Sequence, residues 1–286
     1  MCRSNRSINS AERRGRGVFS QLRPARMNPL ADGVFRSRKL GRVGDWWETK
    51  LVPAVSVLIA TALVSGTDVP SLIAALAELI VTLTIGALFV SLLNDFTDRE
   101  DDRRSGKPNS FEQHPTLGLV LLIGVIAGGA ACLWWLSARP LAAAAFVLGW
   151  LAYLAYSVPP LRLKTMGLPG LLCDAVGAHV VPSLLAVALL SDPAQSAPLW
   201  WLAVAAWSVA WGVRGIVAHQ LADEAQDRAA GVRTFVVRYG PHRVRWWIRR
   251  FVFPIELAGL LALLAQLPGV ASLIALGLAL VFELAK

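Results

Sequence analysis

Eight apolar runs dominate this chain and limit what it can fold into. They cover 51–64, 72–93, 116–137, 141–156, 168–190, 198–217, 246–267 and 270–284. A hydrocarbon core of about 30 Å takes roughly 20 apolar residues as a helix, and most of these runs reach or approach that length. In lipid each backbone N–H and C=O must be paired within its own segment, so helices are the expected form. Hydrophobic residues make up 55% of the chain and charged residues only 16%, too little charge for a soluble globular domain. The sequence predicts an all-α integral membrane protein with eight transmembrane helices, the first and last of them short. Tryptophans near the expected ends, among them Trp46, Trp47, Trp134, Trp135, Trp200, Trp201, Trp246 and Trp247, suit interfacial anchoring.

A net charge of +9 could point to nucleic acid, but its distribution excludes that reading. Of 28 Lys and Arg, 12 lie in 1–50, four in 94–115, two in 158–168 and eight in 211–250. The complementary loops near 65–71, 137–141, 191–198 and 267–270 hold only Arg139. Such alternation is the positive-inside pattern. It predicts a cytoplasmic N-terminus and cytoplasmic loops after the second, fourth and sixth spans. Residues 1–45 are basic, contain Gly and Pro and lack apolar periodicity. They are expected to be a disordered segment able to meet anionic lipid, ahead of a transmembrane domain over 46–286. No apolar stretch suited to a cleaved signal peptide follows the early charges. Cys2, Cys132 and Cys173 have no metal-ligand spacing, and the two in spans read as small packing residues.

The second run ends in Asn94-Asp95-Phe96-Thr97-Asp98-Arg99-Glu100-Asp101-Asp102. On a continuing helix Asn94, Asp98 and Asp102 share a face, with Asp95 beside them. Carboxylates this close repel one another, so a cation is expected among them, and hard oxygen donors suit Mg²⁺. Asp101 lies off the shared face and its role stays open. The sixth run ends in a second such face, His219, Asp223 and Asp227, with Gln220 beside it. Asp95 and Asp223 are 128 residues apart, each closing the second helix of a four-helix half. This spacing predicts two pseudo-repeated halves around a central cavity.

Between the acidic motifs, Pro159-Pro160 ends the fourth run and should present Arg162 and Lys164 beside the aspartates. Asp95, Asp98, Asp102, Asp223 and Asp227 would carry five negative charges, matched by two Mg²⁺ and a basic rim of Lys107, Arg162, Lys164, Arg228 and Arg233 once a diphosphate joins them. An apolar membrane cavity beside such a site suits a ligand with a diphosphate head and a hydrocarbon tail. Glu78 is expected either at the outer interface or in a pocket. Asp174 is expected near the basic loop just before it, and His179 in the core.

Three segments together resemble the UbiA superfamily of intramembrane prenyltransferases. They are Asn94-Asp95-x-x-Asp98-x-x-x-Asp102, Tyr156-Ser157-x-Pro159-Pro160-x-Arg162-x-Lys164, and Asp223-x-x-x-Asp227 followed by Gly231 and Thr234. The resemblance covers about residues 45–286. It implies that both aspartate clusters hold Mg²⁺ and bind a prenyl diphosphate. It further implies that Lys107, Arg162 and Lys164 neutralise the leaving group, and that Tyr156 steadies the allylic cation or orients a lipophilic acceptor. Asn94 would ligate metal or fix an aspartate, and His219 and Gln220 would touch substrate or support the site. Family members commonly have nine helices, so either one is missed here or the last is absent. Many aromatic-acceptor members carry Arg-Pro soon after the first motif, where this chain has Gly106-Lys107-Pro108-Asn109. Aromatic and polycyclic acceptors therefore stay open, as does cyclisation without an acceptor. Phosphoribosyl transfer to a polyprenyl phosphate ranks lower. So does a divalent-cation transporter, which would need polar groups at the midplane.

Overall fold

Proline and glycine punctuate the apolar runs, and the helices start and stop at them. The structure, a computed structural model, describes residues 47–105, 109, 116–136, 139–191, 197–229 and 231–269. Helix α1, Val52–Ser65, follows a π-helical turn at Trp47–Leu51. Pro53 lies just past that turn and cannot donate to the Thr49 carbonyl, which accepts the Trp211 indole N–H at 3.2 Å. Gly66, at φ 66°, closes the helix by donating its N–H to the Ala62 carbonyl. Asp68 then starts α2, Val69–Ser105, by accepting the Ser71 N–H at 2.9 Å and the Ser71 hydroxyl at 2.8 Å. Those bonds hold its carboxyl below the usual range.

Next come α3, Thr116–Leu136, and α4, Pro140–Ser157. After a loop with a 3₁₀ turn at Leu163–Thr165 comes α5, Leu168–Leu190, which contains a π-helical turn at Val176–Val180. Helix α6 is Pro198–Ala222, and the short α7 and α8 are Glu224–Ala229 and Phe235–Tyr239. Helix α9 runs from Pro241–Trp247 through a π-helical turn at Ile248–Val252 into Phe253–Leu264.

Four helices among the described residues, α2, α4, α5 and α6, are long and apolar enough to cross a membrane. The chain is an integral membrane protein of all-helical build. Helix α1 is stopped at 14 residues by Gly66, whereas α3 has 21 residues over Thr116–Leu136. The eighth expected run, 270–284, lies outside the described residues, as do Lys107, the basic segment 1–45 and Trp46.

The main core gathers Leu58 of α1, Leu79 of α2, Phe146 of α4, Leu185 of α5, and Trp200 and Val204 of α6. Each of these positions lies toward the helix ends remote from the acidic motifs. There the Trp200 indole N–H donates to Thr61 Oγ1 at 3.1 Å, and Arg139 pairs with Glu78 at 2.6 Å. That ion pair ties the start of α4 to α2 and gives Glu78 its partner. Nearer the motifs the helices approach through glycine. A methyl group on Gly212 would lie 2.9 Å from His179 Cδ2 and 3.0 Å from Ala175 Cα, so α6 rests directly on α5. On Gly259 it would lie 2.8 Å from the Trp207 backbone nitrogen, so α9 rests directly on α6. Arg214 of α6 grips Glu256 of α9 through two contacts, Nε to Oε2 at 2.7 Å and Nη2 to Oε1 at 2.6 Å. Its guanidinium carbon also lies 4.8 Å from the Trp211 ring centroid. Charges at membrane depth persist when paired in this way.

Candidate active site

Helix α2 has 37 residues and so extends about 55 Å, well beyond a hydrocarbon core. Its surplus turns carry the first acidic motif. The helix continues through Ser105, immediately before Gly106, so Asn94, Asp98 and Asp102 do share one side. Asn94 Oδ1 accepts the hydroxyl of Ser157, the last residue of α4. This bond sets the ends of α2 and α4 side by side.

Beyond Ser157 the chain turns through a cis Pro159–Pro160 bond to Arg162, whose φ of 37° is left-handed. That turn sends both basic side chains back onto α2. Arg162 Nη2 lies 2.9 Å from Asp98 Oδ1 and 2.6 Å from Asp101 Oδ2. Lys164 Nζ lies 2.5 Å from Asp98 Oδ1. Asp101, off the shared face, therefore has a partner in Arg162. Burial opposes the Arg162 charge, but its hydrogen bonds to Asp101 and Asp98, with their negative charge, outweigh it and raise its pKa. Burial prevails at Lys164 and lowers its pKa, although Asp98 pulls the other way. Among the described residues Arg162 Nε is a buried donor with no hydrogen-bond partner.

Asn109 is a residue the sequence reading passed over. Its Nδ2 donates to Asp102 Oδ2 and to the Asp95 carbonyl, each at 2.8 Å. These bonds hold Asn109 against the acidic end of α2. Its place after Pro108 marked a turn, but nothing local marked its partner. Ser157 was legible only as part of the Tyr-Ser-x-Pro-Pro segment.

The second motif is bent. Helix α6 ends at Ala222, and α7 begins at Glu224. The Asp223 N–H still reaches the His219 carbonyl at 3.0 Å, and the Asp227 N–H the Asp223 carbonyl at 2.9 Å. The four-residue register of His219, Asp223 and Asp227 thus survives the break. Gln220 is engaged structurally: its Oε1 accepts the buried Val236 N–H at 3.2 Å and holds α8. Arg228 pairs with Glu224 on an exposed turn, Nε to Oε1 at 3.0 Å.

Tyr156 of α4 lies within electrostatic reach of Asp174, Asp98 and Asp227. It stands between the first motif, the second motif and α5. Asp174 has Lys50 and His219 as its electrostatic neighbours, rather than the loop just before it. His179 is buried in the α5–α6 seam against Gly212. Carboxylate oxygens of this number and hardness fit Mg²⁺, and the unpartnered Arg162 donor fits an anion. Yet among the described residues no three His, Cys, Asp or Glu side chains are grouped so as to hold a metal ion. Asp98 is neutralised by Arg162 and Lys164 instead.

Comparison with known proteins places this geometry in a family. The model of the UbiA prenyltransferase family matches residues 53–286. No curated protein sequence matches the chain. Among solved structures, a UbiA homolog from Archaeoglobus fulgidus bound to DMAPP and Mg²⁺ superposes with a TM-score of 0.66 at 15% identity, covering 87% of this chain and 86% of that one. The same homolog bound to GPP and Mg²⁺ gives 0.66 at 14% identity, with the same coverage. At such identity the likeness establishes the fold. The family match covers most of the chain, from the first helix onward: the protein is a member of the UbiA prenyltransferase family.

Proposed function

We propose that the chain is a Mg²⁺-dependent intramembrane prenyltransferase. It would move a prenyl group from a prenyl diphosphate to a lipophilic, aromatic or polycyclic acceptor. The observation that carries this reading is the basic loop after α4, which lays Arg162 and Lys164 on Asp98 and leaves Arg162 Nε buried without an acceptor. The A. fulgidus homolog, which binds DMAPP or GPP with Mg²⁺, supports it.

In this proposal Asp95, Asp98, Asp102, Asp223 and Asp227 hold Mg²⁺, with Asn94 fixed by Ser157 beside them. Bound there, Mg²⁺ would supply charge for a diphosphate. Lys107, Arg162 and Lys164 neutralise the diphosphate as its bond to the allylic carbon breaks. Tyr156, between both motifs, faces the resulting cation and helps to orient the acceptor. His219 and Gln220 touch the substrate or support the site from beside the second motif, and Arg228 lends its charge to the diphosphate. The apolar helices keep water from the cation. The proposal includes a transmembrane domain over 46–286, eight spans in two pseudo-repeated halves, and a cytoplasmic site with the N-terminus on the same side.

The test is purified protein with Mg²⁺ and geranyl, farnesyl or geranylgeranyl diphosphate, with products read by mass spectrometry. Diphosphate release that requires an acceptor supports transfer. A hydrocarbon formed without acceptor would make the chain a terpene cyclase. No diphosphate release from any of them, with folded protein, would overturn the reading.

A further inference from the structure

A pocket of about 740 Å³ opens between the loop after α4 and α8. It is lined by Thr165, Met166, Pro169, Arg233, Val237 and Arg238. None of the motif aspartates lines this pocket, and Arg233, expected from the sequence in the basic rim of the acidic site, lines the pocket instead. Its lining divides into two chemistries, with two guanidinium groups on one side and the apolar Met166, Pro169 and Val237 on the other.

The two arginines differ from five others in the described chain. Arg103, Arg139, Arg162, Arg214 and Arg228 each pair with a carboxylate. Among the described residues Arg233 and Arg238 have no carboxylate partner. Arg238 crosses the loop at Gly167, where φ is 72° and a methyl group would lie 3.3 Å from Arg238 Cδ. Its guanidinium is braced 5.8 Å from the Tyr239 ring centroid. The Thr165 hydroxyl donates to the Arg162 carbonyl at 3.1 Å, which links the pocket wall to the loop of the acidic site.

The apolar side continues beyond the pocket. Leu168, Leu172 and Val176 of α5 are all exposed. They recur every four residues, so they form a stripe that starts beside Pro169 at the pocket and runs along a membrane-crossing helix. An inorganic anion has no use for that stripe. A ligand with an anionic head and a hydrocarbon chain uses both parts.

We propose that this pocket binds the phosphate headgroup of an anionic phospholipid, with Arg233 and Arg238 on the phosphate and an acyl chain along Leu168, Leu172 and Val176. A planar, multi-donor guanidinium suits a phosphate diester. Basic groups at a membrane surface favour anionic over zwitterionic lipid. The lipid would brace the loop that carries Lys164, since Thr165 and Met166 adjoin it. This inference holds whether or not the acidic site is a prenyltransferase site.

The experiment is a titration of the purified full-length chain in neutral detergent, followed by native mass spectrometry. The probes are phosphatidylglycerol and phosphatidylcholine. Phosphatidylglycerol is expected to bind more tightly. Arg238→Gln should weaken it about fivefold, and Arg233→Gln with Arg238→Gln about thirtyfold. Arg243→Gln with Arg245→Gln, which removes the same charge elsewhere on the basic segment, should leave that affinity unchanged. Equal affinity for the two lipids would overturn the proposal. So would equal weakening by the Arg243/Arg245 pair, which would mean diffuse surface charge. Displacement of phosphatidylglycerol by farnesyl diphosphate would assign the pocket to the prenyl substrate, and displacement by inorganic diphosphate to a free anion. Either result overturns the lipid assignment. If the double variant does not fold, Arg238→Gln and the two-lipid comparison decide.

Discussion

Lys164 Nζ lies 2.5 Å from Asp98 Oδ1, although the two residues are 66 positions apart. The basic loop after α4 and the acidic end of α2 therefore form one structure. Asp98 also takes Arg162, which reaches on to Asp101. The two cations are balanced by the two carboxylates of Asp98 and Asp101.

Asp98→Asn should lower Mg²⁺-dependent diphosphate release about a hundredfold, the scale for weakening the metal that stabilises developing charge. The fold should survive, because Arg162 keeps Asp101. Diphosphate release and helical circular dichroism in detergent check the two statements. Release at the native rate would remove Asp98 from the site.

The alkaline limb of activity should report Lys164. Burial lowers its pKa below the usual 10.5, so its cation is complete well below that pH and is lost earlier than on a free lysine as pH rises. Over that window the unfolded chain binds more protons, so this group makes stability rise with pH while activity falls. The opposite signs separate lost neutralisation from unfolding. Lys164→Arg should move the limb to higher pH, because arginine does not deprotonate in this range. A pH–rate profile of both proteins is the measurement.

Asn109→Ala should raise the Mg²⁺ concentration needed for half-maximal release by about tenfold, the lower end of the effect of losing a group that orients a metal ligand. The variant frees Asp102 Oδ2 and the Asp95 carbonyl from the loop. A Mg²⁺ titration of initial rates tests it. An unchanged midpoint would show that Asn109 serves the loop alone.

Arg214→Ala should destabilise the protein by about 3 kcal/mol, because it strands Glu256 between α6 and α9. Changing Arg214 and Glu256 together to leucine should recover most of the loss, since no uncompensated charge remains. Thermal midpoints of both variants in the same detergent distinguish a pin between helices from a group the fold can spare.

The helical membrane class was legible in the residues alone, since apolar runs of this length pair their backbone as helices. So were the three polar segments, because Asp at four-residue spacing and Pro-Pro before Arg and Lys are local patterns. Their pairing was not local. Asn109 on Asp102, Ser157 on Asn94 and Arg139 on Glu78 each join residues whose spacing along the chain carries no period. The break at Asp223 was also hidden, because the helical register persists on both sides of it. Glycine contacts such as Gly212 against His179 set how closely the helices approach. That distance, which no single helix encodes, decides which side chains meet. Tertiary structure alone turned the first acidic motif from a row of mutually repelling carboxylates into a face already partnered by Arg162 and Lys164.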